Sequence, residues 1–231
     1  MEGKRFIQSV RLENFLSFSG ESEAIDLQPL NVLIGPNASG KSNLIEAFSI
    51  LRAAPGDLMG PVRDGGGIIE WIYKGSPESA TAKMEATVDY PDGFVPLRYG
   101  LSFAQSGQKF ELVDEYVENE KPQPNEDDVY FFYRYQNGHP VLNTRIQLEE
   151  PSGTQSGRSR RQLRPEELAP NVSVLAQKKD FDHYPELTYL ATRFAEIKLF
   201  REWNLGRYTP PRMAQKPDLP GDFLFENAAN V

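Results

Sequence analysis

Gly35-Pro36-Asn37-Ala38-Ser39-Gly40-Lys41-Ser42 is the stretch on which the reading of this chain turns. It meets G-x-x-x-x-G-K-[ST] at every required position. Average residue usage would produce such a match by chance in roughly one chain in a hundred of this length. The flanks sharpen the signal. Leu30 to Ile34 is a brief apolar run closed by Gly35-Pro36, the pattern of a strand buried on both faces. After the motif, Leu44, Ala47, Phe48 and Leu51 fall on one helical stripe that ends before Pro55-Gly56.

Each residue type has a physical reason to be there. A polyphosphate crowds several negative oxygens together, and backbone N–H groups of a glycine-rich turn can surround them without side chains in the way. Gly35 and Gly40 allow that close approach, with Pro36, Asn37, Ala38 and Ser39 forming the loop between them. A helix starting near Lys41 and running through Asn43 adds about half a positive charge at its N-terminus. Lys41 supplies a full charge for the β- and γ-phosphates, which makes it the expected catalytic side chain. Ser42 supplies a hydroxyl for Mg²⁺, which prefers hard oxygen ligands. A triphosphate and Mg²⁺ are therefore the expected ligands.

GPNASGKSN, with Asn37 and Asn43, resembles the Walker A sequence of the RecF, SMC and overcoming-lysogeny-defect ATPases, within the ABC-type class. Upstream, Leu12-Glu13-Asn14-Phe15-Leu16-Ser17-Phe18 resembles their opening strand, an apolar residue followed by N-F-x-S-F. The two motifs together cover residues 5 to about 53. More loosely, Gly65-Gly66-Gly67-Ile68-Ile69-Glu70-Trp71 and Ser173-Val174-Leu175-Ala176-Gln177 are similar to a RecF-like group of bacterial ATPases of the AAA family. The resemblance implies that Asn37 faces the γ-phosphate and that Gln177 acts as a Q-loop glutamine on Mg²⁺ or the attacking water. It also implies that Arg11, Asn14 and Phe15 lie near the base or ribose. For the complete form it implies two heads that sandwich two ATP molecules, with DNA as the common partner.

Away from the motif the pattern changes. Val10 and Leu12 alternate with polar neighbours as a strand does, and Ile25 and Leu27 suggest a short second one. Ala80 to Val88 and Val95 to Phe103 alternate strictly around Pro91-Asp92-Gly93, so they read as a hairpin with one wet face. Phe110 to Val117 and Val129 to Tyr135 read as further strands, with turns at Ser106-Gly107 and Asn137-Gly138. Pro151 to Asn171 lacks apolar periodicity and holds Arg158, Arg160, Arg161 and Arg164, so it reads as a solvated basic loop. Pro185 opens a helix with Leu187, Leu190, Ala191, Phe194 and Ile197 on one stripe, and the tail from Thr209 is rich in proline.

The fold class expected is α/β: the N-terminal lobe of an ABC/SMC-type P-loop NTPase with an appended antiparallel β-subdomain. The expected organisation within 1–231 is a P-loop strand–helix core over 1–56 and an antiparallel region over 57–150. A flexible basic linker over 151–172 and a Q-loop-like segment with a helix over 173–231 complete it.

Composition excludes several function classes. The chain has 231 residues, 39% hydrophobic and 25% charged, with 18 glycines and 18 prolines. It has no cysteine, so disulfide scaffolds, thiolate zinc sites and cysteine nucleophiles are out. Only two histidines, His139 and His183, argue against a multi-histidine metal centre. A formal net charge of -8 repels DNA as a whole, so any DNA contact needs a local basic patch or a ligand-driven change. No apolar run approaches the ~20 residues of a membrane span, and no secretory h-region follows Met1, which fits a cytoplasmic chain.

The family pattern also requires an LSGG-like signature, a Walker B strand ending Asp-Glu and a switch histidine. Leu112-Val113-Asp114-Glu115 imitates Walker B but lies in the antiparallel region and reads as a strand edge. Phe18-Ser19-Gly20-Glu21 reads as a turn, and His139 and His183 as structural residues. The remaining parts are expected after Val231 or from a second chain, giving an ATP-dependent homodimer in the complete form. This chain alone is expected to bind ATP and hydrolyse it negligibly. The rival readings are a non-catalytic nucleotide-sensing module and a small-molecule kinase with an arginine lid.

Overall fold

The structure is a computed structural model and describes residues 5–20, 22–75, 81–107, 109–122, 127–136, 139–148, 155–162, 168–201, 207–209 and 224–226. The chain divides into two compact units, Met1–Ala195 and Glu196–Val231. In the second, the Leu199 N–H donates to Glu226 Oε1 at 2.8 Å.

Among the described residues, an eight-stranded antiparallel sheet organises the first unit. Its strands are β1 (Ile7–Glu13), β2 (Ile25–Asp26), β3 (Ala82–Val88), β4 (Leu97–Ser106), β5 (Lys109–Asn119), β6 (Phe131–Gln136), β7 (His139–Leu148) and β8 (Gln155–Gln162). Their spatial order is β2-β1-β3-β4-β5-β6-β7-β8. The alternation in β3 and β4 works as expected: Ala82, Met84, Ala86 and Val88 lie buried opposite Phe103, Leu101, Tyr99 and Leu97. His139 opens β7 opposite Gln136, as a hairpin residue should. The Asn137-Gly138 turn itself lies outside the described residues.

Helices cover the apolar face. They are α1 (Lys41–Ala53), α2 (Gly60–Asp64), α3 (Ile68–Trp71), α4 (Val174–Gln177) and α5 (Pro185–Ala195). Leu44, Ala47, Ile50 and Leu51 of α1 are buried, as are Leu187, Leu190, Ala191 and Phe194 of α5. Phe194 meets Tyr99 edge-on at 5.4 Å between ring centroids, which joins α5 to the middle of the sheet.

Two expectations are corrected here. Residues 151–172 are not one flexible linker, because Gln155–Gln162 pairs with β7 along its whole length. The strand escaped detection because it is a polar edge strand with no apolar alternation to read.

The second correction concerns Leu30–Ile34. It is neither a strand nor buried: Leu30 is 82% exposed, Val32 74% and Ile34 90%. Among the described residues, no backbone hydrogen bond engages Leu30, Val32, Leu33 or Ile34. An apolar run becomes a buried strand only where neighbours exist to pair with it, and none of the eight strands among the described residues pairs with this one.

Candidate functional site

The loop from Gly35 to Gly40 runs directly into α1, and its backbone is shaped to present N–H groups. Ala38 has φ 63° and Gly40 has φ 88°, so two left-handed residues lie within the loop. A left-handed alanine costs roughly 1 kcal/mol, a strain that proteins retain where a site requires it. Alternating backbone hands of this kind form concavities that collect anions. Gly40 is also the N-cap of the 13-residue α1, and no side chain caps that helix. The first regular bond is Leu44 N–H to Gly40 O at 2.9 Å. The preceding N–H groups of Lys41, Ser42 and Asn43 belong to the first turn, where the helix itself offers no acceptor.

Lys41 lies across the loop. Its Nζ donates to Gly35 O at 2.8 Å, Pro36 O at 2.6 Å and Ser39 Oγ at 3.3 Å. These partners are uncharged, and among the described residues no carboxylate pairs with the ammonium. An anion can take their place without breaking an ion pair. Gly35 to Ser39 and Ser42 are exposed, while Gly40, Lys41 and Asn43 are half-buried. The loop is therefore open to a ligand of the size of a polyphosphate.

The N-F-x-S-F strand supports this loop from behind. Phe15 and Phe18 exchange backbone hydrogen bonds of 3.0 and 2.8 Å, closing a tight turn at the end of β1. Asn14 and Leu16 take positive φ values of 51° and 50° in it. The turn places Ser17 against the loop: a β-carbon on Gly40 would stand 2.8 Å from Ser17 Oγ.

Two residues expected at the base or ribose have partners within the protein. Phe15 is fully buried, edge-on to Trp71 at 5.7 Å and to Phe103 at 6.2 Å, and offers no surface to a nucleotide. Asn14 holds the turn, its side-chain amide donating to Thr81 O at 3.3 Å and its backbone O accepting from Tyr73 N–H at 2.9 Å. The N-F dipeptide thus serves the turn and the core. Arg11 is exposed on β1.

Gln177 ends α4 with its amide engaged on its own segment. Oε1 accepts from Ala169 N–H at 2.6 Å, and Nε2 donates to Ala169 O at 3.2 Å and Val172 O at 2.8 Å. The side chain is half-buried. His183 Nδ1 donates to Asp180 Oδ2, 2.8 Å away, in an exposed turn before α5.

The motif-like Asp114-Glu115 pair is not a Walker B carboxylate. Glu115 is fully buried and receives the Tyr99 hydroxyl at 2.9 Å, the Ser173 hydroxyl at 2.5 Å and the Val174 N–H at 2.8 Å. Burial pushes its carboxyl up to about 7, against the pull of those three donors. Sequence reading missed this role. The signal was present as a change of parity, since Phe110 and Leu112 are buried at even positions and Glu115 and Val117 at odd ones.

Comparison with known proteins agrees with the loop. Residues 30–223, well over half of the chain, match the family model for an AAA domain, putative AbiEii toxin, Type IV TA system. The chain belongs to that AAA family. It is also similar to Structural maintenance of chromosomes protein 1 of Caenorhabditis elegans, 32% identical over 94 residues, covering 40% of this chain and 7% of that protein. The chromosome partition protein Smc of Lactiplantibacillus plantarum is 34% identical over 97 residues, 40% of this chain and 8% of that protein. Its counterpart in Mycolicibacterium paratuberculosis is 27% identical over 97 residues. The chain thus spans less than a tenth of the length of these relatives. The family is a nucleotide-binding class, and the chain has mixed α/β structure. Among the described residues, no helix is long and apolar enough to cross a membrane.

Proposed function

We propose that residues 35–43 bind Mg-ATP and that this chain is the ATP-binding lobe of a larger SMC/RecF-like machine. The observation that carries the proposal is the left-handed Ala38–Gly40 turn feeding an uncapped 13-residue helix under the ammonium of Lys41. Donors of this kind suit an anion, and their number along the loop suits a polyphosphate. Lys41 trades its carbonyl partners for β- and γ-phosphate oxygens, and Asn37 lies on the γ-phosphate side. Ser42 offers the hydroxyl for Mg²⁺, and Gln177 reaches the metal or water after rotating away from Ala169 and Val172. Bound Mg²⁺ would neutralise charge on the phosphates.

The exposed Leu30–Ile34 run supports a shared architecture. Its unpaired backbone and apolar side chains suit a strand completed by further strands, from a C-terminal lobe or a second chain. In that complete form two heads would close on ATP as a homodimer, and hydrolysis would act on a partner such as DNA. Phosphoryl transfer depends on positioning and charge stabilisation, which a lone lobe does not complete. Glu115 supports negligible hydrolysis by this chain itself, because the carboxylate that imitates a Walker B base is enclosed by three donors.

Calorimetric titration with ATP and GTP, with and without Mg²⁺, tests the proposal. Wild type binds Mg-ATP and Lys41→Ala loses at least tenfold in affinity. Equal affinity of the two proteins overturns the site. Steady turnover near 1 s⁻¹ by the isolated chain, abolished in Lys41→Ala, overturns the claim that it is only a lobe.

A further inference from the structure

The buried carboxyl of Glu115 ties together segments far apart in sequence. Its Tyr99 partner stands on β4, while Ser173 and Val174 open α4, 58 and 59 residues downstream. Ser173 Oγ also accepts from Leu175 N–H at 3.1 Å, so the carboxyl and the serine together satisfy the start of that helix. A second tie lies three residues up β5: Leu112 N–H donates to Asn171 Oδ1 at 2.8 Å. Asn171 itself sits at φ 60°, a left-handed turn just before α4.

A β-bulge makes both ties available. The register moves from Ser102↔Asp114 to Phe103↔Leu112, leaving Val113 as the extra residue. Leu112 and Glu115 therefore both occupy the covered face, although an unbroken strand would put them on opposite faces. Bulges of this kind re-aim one side chain at a fixed target. Here the target is residues 168–177, which end on the Gln177 amide clasping Ala169 and Val172.

We propose that Glu115 is a positioning residue: it anchors the 168–177 segment, and with it Gln177, to the sheet, and the anchor responds to the charge on its carboxyl. The groups facing it are Tyr99 from β4, Asp114 beside it on β5, Tyr133 from β6, and Ser173 with the Val174 N–H from the segment. Burial holds both tyrosines neutral, so none of these neighbours is a cation. The sign follows. Closed, the carboxyl binds its proton up to about pH 7; exposed to water it returns to the ordinary 4.5. The anchor is tightest below pH 4.5 and loosens as pH rises through 7, by about tenfold in opening between pH 6 and 8. Its relevance to nucleotide chemistry rests on the Mg-ATP reading of the loop; the anchor itself does not.

Hydrogen–deuterium exchange on the whole 231-residue chain decides it. After correction for intrinsic exchange, wild-type protection of residues 168–177 should fall about tenfold from pH 6 to 8. Glu115→Gln, which can donate to both hydroxyls and accept from Val174, should keep the segment protected at all these pH values. Glu115→Ala should lose at least tenfold in protection there at pH 6 while β1 and β3 stay protected. Equal protection in Glu115→Ala and wild type overturns the anchor, and so does an identical pH profile in wild type and Glu115→Gln. The second comparison decides the matter even if Glu115→Ala does not fold. In a parallel titration, Glu115→Ala should lose the Mg²⁺-dependent part of ATP affinity and keep the rest. Loosening with no such loss overturns the link to Gln177. A wild type that binds no ATP removes the nucleotide reading, and the exchange data still decide the anchor.

Discussion

Ser17 Oγ occupies the space that a side chain on Gly40 would need, 2.8 Å from the position of its β-carbon. The contact joins the two motifs that identified the chain, the N-F-x-S-F turn and the glycine-rich loop. It also explains the residue types: a small polar side chain packs on a residue that must have none. Gly40 carries a second constraint, its φ of 88°. Gly40→Ala should therefore strain the backbone by roughly 1 kcal/mol and push Ser17 away as well. The expected outcome is at least a tenfold loss of ATP affinity with an unchanged far-ultraviolet circular dichroism spectrum. Retained affinity would mean that the loop geometry does not matter to binding. Ser17→Gly in the Gly40→Ala background should recover part of the loss.

Ser42 stands in the first turn of an uncapped helix, exposed beside Lys41. Its hydroxyl is assigned to the metal, not to phosphate. Ser42→Ala should weaken Mg-ATP by about tenfold, some 1.4 kcal/mol, and leave metal-free ATP within twofold. Calorimetry in Mg²⁺ and in chelator reads the difference. An equal loss in both would remove Ser42 from the metal.

Phe15 gives the opposite kind of test. Its ring is enclosed by Trp71 and Phe103, so Phe15→Ala opens a cavity in the core. Such truncations cost about 3–5 kcal/mol. Urea unfolding should show that loss, and ATP affinity measured well below the transition should stay within about threefold. A large loss of affinity in a protein of unchanged stability would return Phe15 to the nucleotide.

How much of this was legible depends on what a segment's neighbours are. Lys41–Ala53 and Pro185–Ala195 were readable because an amphipathic stripe reports its own burial. Ala82–Val88 and Leu97–Ser106 were readable because their apolar residues line one face of each, although Thr87, Gly100 and Ser102 are buried on the other. Leu30–Ile34 misled, since apolarity states a preference for burial and not the presence of something to bury against. Gln155–Gln162 was invisible because an edge strand made of glutamine, serine, glycine and arginine has no periodic apolar signature. The glycine-rich loop leading into a helix was legible; the contacts of Phe15 and Gln177 were not, because Trp71, Phe103, Ala169 and Val172 are distant in chain or hidden in a turn. The anchor at Glu115 depends on the bulge at Val113, which the alternation pattern records only as a slipped phase.

The outer face of the sheet holds one further dependence. Gly100 and Tyr116 are cross-strand partners, and a β-carbon on Gly100 would fall within the Tyr116 ring. The tyrosine lies flat over the glycine and its hydroxyl donates to Glu85 at 2.7 Å on β3, so one ring spans three strands. Burial and Glu85 together raise its hydroxyl far above the ordinary tyrosine range, which keeps it a donor. Gly100→Ala should expel the ring, break the bond to Glu85 and destabilise the fold by about 1–3 kcal/mol. Because the penalty comes from the ring, it should nearly vanish when Tyr116 is already alanine. Denaturant midpoints of the two single variants and the double variant measure this coupling. Additive losses would mean that the glycine is needed for a backbone reason of its own and that the ring only happens to lie above it.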